Sequence, residues 1–181
     1  SIITFDEVWF RLVPVYKRVW YFKGQRPKGF FFWSNKKLNL FGALIDGKKL
    51  FYEFFISINS LTFRTFLNDL KKKLSRKKKY VFLLDNASYH KSAIVISFVR
   101  EEIQNAVVEF FPAYCPELNP TETCWKIARA NVTNSTYYKN IEEMKKALSN
   151  FFDNNIFRLN LSNYLCRWLK QPLYTFLFLY K

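Results

Sequence analysis

The stretch Tyr80–Lys91 reads Tyr-Val-Phe-Leu-Leu-Asp-Asn-Ala-Ser-Tyr-His-Lys, and it decides how the rest of the chain is interpreted. Its first five residues are apolar or aromatic, which is typical of a short central strand that is buried on both faces. Asp85 and Asn86 follow at the carboxyl end of that strand, where open α/β sheets place their ligands. Asp85 therefore either binds a ligand or caps the helix that follows, a role that Asp and Asn fill well.

The composition indicates a folded and strongly basic protein. Of the 181 residues, 50% are hydrophobic and 20% aromatic, enough for one domain with a large core. The 29 Lys and Arg against 14 Asp and Glu give a formal net charge of +15. This excess predicts a polyanionic partner, most simply nucleic acid, with a ribosome-like or a membrane-surface protein as the alternatives. No apolar run reaches the roughly 18 residues of a membrane span, so no membrane partner is expected.

Cysteine usage favours an intracellular protein. Cys115, Cys124 and Cys166 are odd in number and form no Cys-x-x-Cys pair, so they predict neither a zinc site nor a disulfide framework. We interpret them as reduced thiols that pack in the fold.

The first third of the chain predicts an antiparallel meander. Ser1–Arg11 is rich in β-branched and aromatic residues, as strands are. Lys37–Ile45 and Leu50–Ile58 follow as two further strands, and Asp-Gly-Lys at 46–48 between them carries a hairpin signal. The basic and aromatic segment Lys17–Lys28 contains Gly and Pro and predicts a loop flanked by short strands.

The chain after the meander alternates between helices and strands. The predicted elements are a helix from Ser60, its N-cap, to about Leu74, the strand Tyr80–Leu84, a helix over Ser92–Gln104, a strand over Ala106–Phe111, a helix that begins at Pro120 with Asn119 as its cap, and a helix from Lys139 or Asn140 to Asn154. This order calls for parallel neighbouring strands joined by right-handed crossovers. The seven basic residues between 71 and 79 predict either a phosphate-binding patch or a solvated turn.

Three acidic residues occupy unusual positions. Asp6 lies inside an apolar strand, Asp85 ends the central strand, and Glu122 opens a helix after a proline-rich loop. If the first strand lies beside the Tyr80 strand and parallel to it, Asp6 and Asp85 meet at the switch point of the sheet. Clustered carboxylates repel one another and are costly to bury, and divalent cations remove both penalties. The sequence therefore predicts a Mg²⁺ or Mn²⁺ site, and two ions would suit phosphodiester chemistry on nucleic acid.

Three blocks and two shorter stretches carry a family resemblance. They are Phe-Asp-Glu at 5–7, Leu-Asp-Asn-Ala-x-x-His at 84–90, Leu-Asn-Pro-Thr-Glu-x-x-Trp-Lys at 118–126, Lys-Gly-Gln-Arg-Pro at 23–27 and Asn-Leu-Phe-Gly-Ala at 39–43. Together they resemble the DDE transposases of the Tc/mariner superfamily, most of all its prokaryotic insertion-sequence branch. The resemblance covers Ile3 to Cys166, and the 36 residues between Asp85 and Glu122 are within the family's habit.

The resemblance implies an α/β fold of the RNase H-like kind, with a mixed five-stranded sheet flanked by helices over residues 1–155. It implies that Asp6, Asp85 and Glu122 are the catalytic residues and ligate two Mg²⁺ or Mn²⁺ ions. The implied activity is metal-dependent DNA strand cleavage and strand transfer in transposition. The implied partners are transposon ends and target DNA, with a homodimer as the active form.

Two features depart from the family pattern. Members carry an N-terminal DNA-binding region, which has no counterpart in this sequence, so we expect an isolated catalytic domain. The aromatic tail after Arg167 is also outside the pattern, and the sequence leaves the role of the C-terminal aromatic segment over residues 156–181 open. For a prokaryotic transposase we expect a cytoplasmic, nucleoid-associated location.

Several residues near the three blocks are further candidates, each with two interpretations. Asn86 either orients a metal ligand or caps a helix, and His90 either contacts the scissile phosphate or attacking water or makes a structural hydrogen bond. Glu7 should point to the opposite face of its strand from Asp6, which favours a solvent or ion-pair role. Trp125 is expected in the core, pinning its helix.

Basic side chains are the candidate DNA contacts. Lys126 and Arg129 follow Glu122 on a similar helix face and could meet DNA phosphates. Lys23, Arg26 and Lys28 form a second group in the Gly/Pro loop, where a solvated loop is the alternative. Two other functions remain open: an RNase H-like nuclease that only hydrolyses, and an inactive DNA-binding remnant.

Overall fold

The computed structural model describes residues 1–13, 22–24, 34–134 and 136–169. Its strands and helices are β1 (Ile2–Arg11), β2 (Lys37–Ile45), β3 (Lys49–Phe55), α1 (Ser60–Lys71), β4 (Tyr80–Leu84), α2 (Ala93–Glu102), β5 (Ala106–Phe110), α3 (Thr121–Ala128), α4 (Ile141–Asn154) and α5 (Ser162–Leu169). A 3₁₀ turn over Pro116–Leu118 precedes α3, and a π-helical turn over Arg129–Thr133 follows it. In the described part of the chain, none of the helices combines the length and the apolar character needed to cross a bilayer.

The five strands form one mixed sheet in the order β3-β2-β1-β4-β5. β1 pairs antiparallel with β2 and parallel with β4, and β4 pairs parallel with β5. The predicted parallel neighbourhood of the first and central strands is therefore confirmed. Most of the central strand is buried as its composition predicts, since Tyr80, Phe82, Leu83 and Leu84 are all less than 5% exposed, whereas Val81 is 36% exposed.

Each face of the sheet packs against its own pair of helices because the side chains of β1 alternate between the faces. Ile3 and Phe5 join the core that α1 and α2 cover, where the Phe5 ring makes an edge contact with Phe82 at a centroid distance of 5.0 Å. Val8 and Phe10 point the other way, into the core under α3 and α4. The layered arrangement confirms the predicted α/β class.

β1 continues beyond the point where β4 stops. The parallel pairing ends at Thr4 and Leu83, so the next carbonyls of β1 need other partners. The Asn119 side-chain amide donates to the Phe5 carbonyl at 2.9 Å, and the Thr121 hydroxyl donates to the Thr4 carbonyl at 2.9 Å. These bonds replace the missing strand and attach the start of α3 over the gap between β1 and β4.

Some element boundaries differ from the sequence predictions. The N-cap of α1 is Asn59 and not Ser60, because Asn59 accepts from the Leu61 and Thr62 amides while the Thr62 hydroxyl accepts from the Asn59 amide in a capping box. β3 ends at Phe55, short of the predicted Ile58, and Ile56 is fully exposed. α1 itself ends at Lys71, before the predicted Leu74. Of the loop predicted over 17–28, only residues 22–24 are among those described.

The chain after α4 packs onto the same domain as far as it is described. The Phe157 and Leu159 amides donate to the Lys48 and Gly47 carbonyls in the hairpin between β2 and β3, at 3.0 and 2.7 Å. Leu165 of α5 is buried against a small cluster that includes Leu83. The sequence did not place this segment, in which the short helix α5 begins only at Ser162.

Gly42 in β2 is a point of close approach between α3 and the sheet. A Cβ atom built on Gly42 would lie 2.3 Å from Cη2 and 2.7 Å from Cζ2 of the buried Trp125 ring, closer than non-bonded atoms approach. Gly42 also stands directly opposite Asp6 in the β1–β2 ladder. The absence of a side chain here allows the indole to approach the sheet closely beside Asp6.

We predict that Gly42→Ala destabilises the domain by about 1–3 kcal/mol, because overpacking must displace the indole. Urea denaturation measures the change. Trp125→Phe removes the atoms that clash, so the double variant should lose less stability than the two single losses combined. Simple additivity of the losses would show that the close approach is not the cause.

Candidate metal centre

Asp6 lies on β1 at the edge of the gap that the end of β4 leaves. Its Oδ2 atom accepts a hydrogen bond of 2.7 Å from Nε1 of Trp125 in α3. Burial raises the pKa of Asp6 well above its ordinary value, and repulsion from Glu7, with smaller effects of Glu122 and Asp85, adds to the rise. The Trp125 hydrogen bond opposes that rise in pKa but does not cancel it. Ionising Asp6 is therefore costly, and a nearby cation would lower that cost.

Asp85 has the opposite electrostatic setting. Burial raises its pKa, but hydrogen bonds from His90 and the Ala87 amide, together with the charges of His90 and Lys91, lower the pKa below its ordinary value. Its Oδ1 atom lies 2.6 Å from Nδ1 of His90 and 3.0 Å from the Ala87 amide. Asp85 is therefore held as a carboxylate at the end of β4. The cap of α2 is Ser92, so Asp85 does not serve that helix.

His90 is completely buried and acts through Asp85. Its ring packs against Phe63 and Tyr89 at centroid distances of 4.5 and 4.2 Å. An ionised carboxylate only accepts hydrogen bonds, so Nδ1 is protonated and donates the hydrogen bond to Asp85. Among the described residues, Nε2 is the buried side-chain nitrogen with no hydrogen-bond partner. The predicted structural hydrogen bond is present, and the predicted contact with the scissile phosphate or attacking water stays a prediction.

Glu7 corrects the expectation of a solvent or ion-pair role. It does point away from Asp6 across β1, toward the α1 face, but its Oε2 atom accepts a hydrogen bond of 2.6 Å from the Tyr89 hydroxyl. A carboxylate oxygen of Glu7 also lies within 4.8 Å of oxygens of Asp6 and Asp85. The reason is that β4 has ended here, so a long side chain from either face of β1 can reach into the gap. Burial, followed by the charge of Glu7, raises the pKa of Tyr89, which keeps the hydroxyl protonated as a donor.

Glu122 lies in the first turn of α3, on the wall of a cavity of about 390 Å³ that Asp6, Asp85 and Asn86 also line. Its charge contributes to the raised pKa of Asp6. Among the described residues, the acids whose oxygens lie mutually within 4.8 Å are Asp6, Glu7 and Asp85, and Glu122 stands outside that group. The three acids of the sequence prediction therefore share one cavity, and Glu7 is a fourth acid beside them.

The donor set fits a hard divalent cation. Carboxylate oxygens at this mutual separation suit Mg²⁺ or Mn²⁺, which prefer oxygen ligands. Asp6, Asp85 and Glu122 line the cavity and could hold such an ion there. A carboxylate oxygen of Glu7 lies within 4.8 Å of Asp6 and Asp85 oxygens, although Glu7 does not line the cavity.

The remaining candidate residues lie in varied settings. The Asn86 amide donates to the Phe111 carbonyl at 2.5 Å, so it joins the end of β4 to the end of β5 and caps no helix. Lys126 is exposed, whereas the Arg129 guanidinium lies over the Phe10 ring and donates to the Trp9 carbonyl at 3.4 Å. Lys23 is exposed, and the predicted contacts Arg26 and Lys28 lie outside the described residues.

The basic cluster between residues 71 and 79 is remote from this cavity. It precedes β4, whereas Asp85 follows β4, so the cluster and the acids lie at opposite ends of that strand. Lys71 pairs with Glu102 at 2.8 Å and Lys72 with Asp69 at 2.5 Å. These two lysines therefore have local acidic partners.

Comparison with known proteins identifies the family. Residues 1–145 match the family described as DDE superfamily endonuclease. The chain belongs to the DDE superfamily endonucleases. This DDE endonuclease chain is 28% identical over 149 residues to an uncharacterized 39 kDa protein of insertion element IS630 from Shigella sonnei, covering 82% of the chain and 43% of that protein.

Two solved structures of the mariner transposase Mos1 are similar to the DDE endonuclease chain. The Mos1 transposase paired-end complex with left transposon end has 25% identity and a TM-score of 0.68, covering 85% of the chain and 48% of the Mos1 chain. The mariner Mos1 paired-end complex with Mg has 25% identity and a TM-score of 0.66, with coverages of 83% and 47%. The chain thus spans about half the length of the relatives it matches. These likenesses confirm the predicted RNase H-like fold and Tc/mariner-like DDE family.

We predict that Asp6→Asn stabilises the metal-free protein at pH 7. The pKa of Asp6 is higher in the folded than in the unfolded chain, so the folded chain binds the extra proton and its free energy of unfolding falls as pH rises from about 4 through the folded-state pKa. The advantage of the variant should therefore disappear below about pH 4. Melting temperatures in EDTA across this pH range measure it.

Asp85→Asn is the matched control for that experiment. The pKa of Asp85 is lowered, so its ionised form is favoured in the fold and its loss should lower the melting temperature at pH 7. Equal shifts of the same sign in the two variants would contradict the opposite electrostatic settings.

We also predict that millimolar Mn²⁺ raises the melting temperature of the wild-type chain. An ion that binds the folded state alone stabilises it by about 2.7 kcal/mol at a hundredfold excess over Kd. Asp85→Asn should remove most of that shift, whereas Lys71→Ala, at the other end of β4, should leave it intact. A melting curve of the wild type that Mn²⁺ does not move would contradict a metal centre here.

Proposed function

We propose that this chain is the catalytic domain of a DNA transposase, which cleaves a DNA strand and joins the resulting end to target DNA. The observation that carries the proposal is the meeting of Asp6 and Asp85 within 4.8 Å at the switch point of the sheet, in a DDE endonuclease chain with a net charge of +15. Acids at a switch point suit phosphodiester chemistry, and the charge suits a polyanionic substrate.

We propose Asp6, Asp85 and Glu122 as the catalytic acids, holding two Mg²⁺ or Mn²⁺ ions. When bound, a pair of such ions activates the attacking oxygen and stabilises the leaving oxygen of an in-line displacement. The chain's own residues fix the ligands: Trp125 holds Asp6, and His90 holds Asp85. The structurally similar transposase Mos1 was solved as a paired-end complex with Mg, which supports the choice of ion.

The proposed chemistry has two displacements at phosphorus. In cleavage, water attacks, the phosphorus–oxygen bond to the 3′ oxygen breaks, and that oxygen leaves as a 3′ hydroxyl after taking up a proton. In joining, the 3′ hydroxyl loses its proton and attacks a target phosphodiester. A new phosphorus–oxygen bond to the target strand forms, and the bond from that phosphorus to the target strand's own 3′ oxygen breaks. Both displacements need one attacking and one leaving oxygen held in line, so one cavity can serve both.

DNA is the proposed partner. Exposed Lys126 lies on α3 one turn after Glu122, where it would meet phosphates next to the scissile bond. We extend the role to Arg129 and to Lys23, Arg26 and Lys28. A homodimer that pairs two transposon ends is proposed by analogy with the Mos1 paired-end complex. A cytoplasmic, nucleoid-associated location is proposed because a relative of the chain belongs to a bacterial insertion element.

We predict that Glu122→Gln abolishes nicking of supercoiled plasmid in Mn²⁺ while DNA binding stays equal or becomes slightly tighter. Removing one carboxylate impairs the metal site, yet it also removes a negative charge that repels the DNA backbone. Gel analysis of the plasmid measures nicking, and fluorescence polarisation measures binding.

Lys126→Ala is the matched variant on the same helix, with the opposite expectation for binding. It should weaken DNA binding and reduce the slope of log affinity against log salt by about one, because one phosphate contact is lost. Nicking by Glu122→Gln at the wild-type rate would contradict the DDE assignment of Glu122. Nicks without joined products would support the hydrolytic nuclease, and binding without nicks by the wild type would support the inactive remnant.

A further inference from the structure

Tyr114 has an exposed side chain and an unfavourable backbone conformation. Its exposure is 101% and its φ is +59°, in the left-handed region that bulky side chains rarely adopt. The side chain is fully exposed, so packing does not compensate for this backbone conformation. Glycine would suit the backbone better and would lose no packing, so the fold itself has no use for this ring. Such strain in an exposed loop indicates a functional role.

The position of Tyr114 connects it to the acids. It lies in the loop between β5 and α3, and it lines the same cavity as Asp6, Asp85 and Glu122. A ligand that fills the cavity would therefore lie beside both the carboxylates and the loop that carries Tyr114.

The loop that carries Tyr114 is held at both ends. Before it, the Phe111 amide donates to the Leu84 carbonyl at 2.8 Å and the Asn86 amide donates to the Phe111 carbonyl at 2.5 Å. After it, the 3₁₀ turn leads into Asn119, whose side chain binds β1 through the Phe5 carbonyl. The ring is thus presented from a loop that is attached to the two strands bearing Asp6 and Asp85.

A nucleic acid base is the ligand that suits this arrangement. A strand whose phosphate lies at the acids carries bases beside that phosphate, and every base has a face that stacks on an aromatic ring. A protein partner would need a broad apolar patch, but the exposed residues around Tyr114 are Ala113, Pro116 and Glu117, which are small or charged.

We propose that Tyr114 stacks on a base next to the scissile phosphate and so holds the DNA strand in register over the acids. This inference rests on the proposed function, because it takes DNA as the substrate. Tyr114 is then a binding residue of the reaction, which the three acidic blocks do not include.

The test measures binding, separately from cleavage. In the Glu122→Gln background with Mn²⁺, the parent is titrated with a short single-stranded oligothymidylate that carries one central 2-aminopurine, whose fluorescence falls on stacking. Tyr114→Gly and Tyr114→Asn, which both tolerate the left-handed backbone, should bind about 5- to 150-fold more weakly and quench less. Tyr114→Phe keeps the ring and should bind as the parent does.

Two further measurements separate stacking from damage to the fold. The melting temperature of Tyr114→Gly should equal or exceed that of the parent, because glycine relieves the backbone. With an abasic nucleotide at the central position, the binding difference between parent and Tyr114→Gly should vanish.

Several outcomes would overturn the inference. They are unchanged affinity and quenching in Tyr114→Gly, an equal loss on the abasic oligonucleotide, and a change in sedimentation mass without a change in DNA binding. The last outcome would indicate a contact between copies of the chain. A parent that binds no oligonucleotide even at low salt would contradict the proposed function itself. Nicking by Glu122→Gln would also contradict the proposed function, but it would leave the binding results for Tyr114 unchanged.

Discussion

The unequal lengths of β1 and β4 are the constraint on which the candidate site depends. β1 has ten residues and β4 has five, so the parallel ladder ends at Thr4 while β1 continues through Asp6. Unpaired backbone carbonyls inside a domain are costly, and Asn119, just before α3, and Thr121, at its start, satisfy them. The same bonds place α3 over the gap, and with it Trp125 and Glu122. The hydrogen bonds that satisfy the β1 carbonyls therefore also bring the acids together.

Asp6 and Asp85 accept hydrogen bonds from different donors, and the two carboxylates differ in electrostatic state. Trp125 offers one neutral N–H to Asp6, too little to offset burial and neighbouring charge, so the pKa of Asp6 is raised. Asp85 receives both an imidazole and a backbone amide, and its pKa is lowered. The metal-free site thus combines one carboxylate that is costly to ionise with one that is favourably ionised. Before a cation binds, the site therefore does not need both carboxylates to be ionised, which limits their mutual repulsion.

Sequence patterns predicted the fold because its decisive signals are local. The apolar run at Tyr80–Leu84 and the order of elements were enough to place β1 beside β4. The sequence did not predict the position of Glu7 beside Asp6 and Asp85. The alternation of side chains along a strand assigns each residue to a face of the sheet, but it does not show where the neighbouring strand ends. Asn59 and Ser60 are both good caps, and the choice depends on the bond with Thr62. Nothing in the residue type of Tyr114 signals a left-handed backbone, and the roles assigned to Asp6, Asp85 and Glu122 stay predictions.

The single histidine of the chain gives the site a built-in spectroscopic reporter. His90 is the only imidazole among 181 residues, and Nδ1 lies 2.6 Å from Asp85 while the ring is shielded from solvent. Its ring protons therefore form one isolated set of NMR resonances without overlap from other histidines. The Nδ1 proton, protected from exchange by burial, senses the charge on Asp85 directly. Cation binding, DNA binding and changes in the cavity can thus be followed from one residue, without attaching a label.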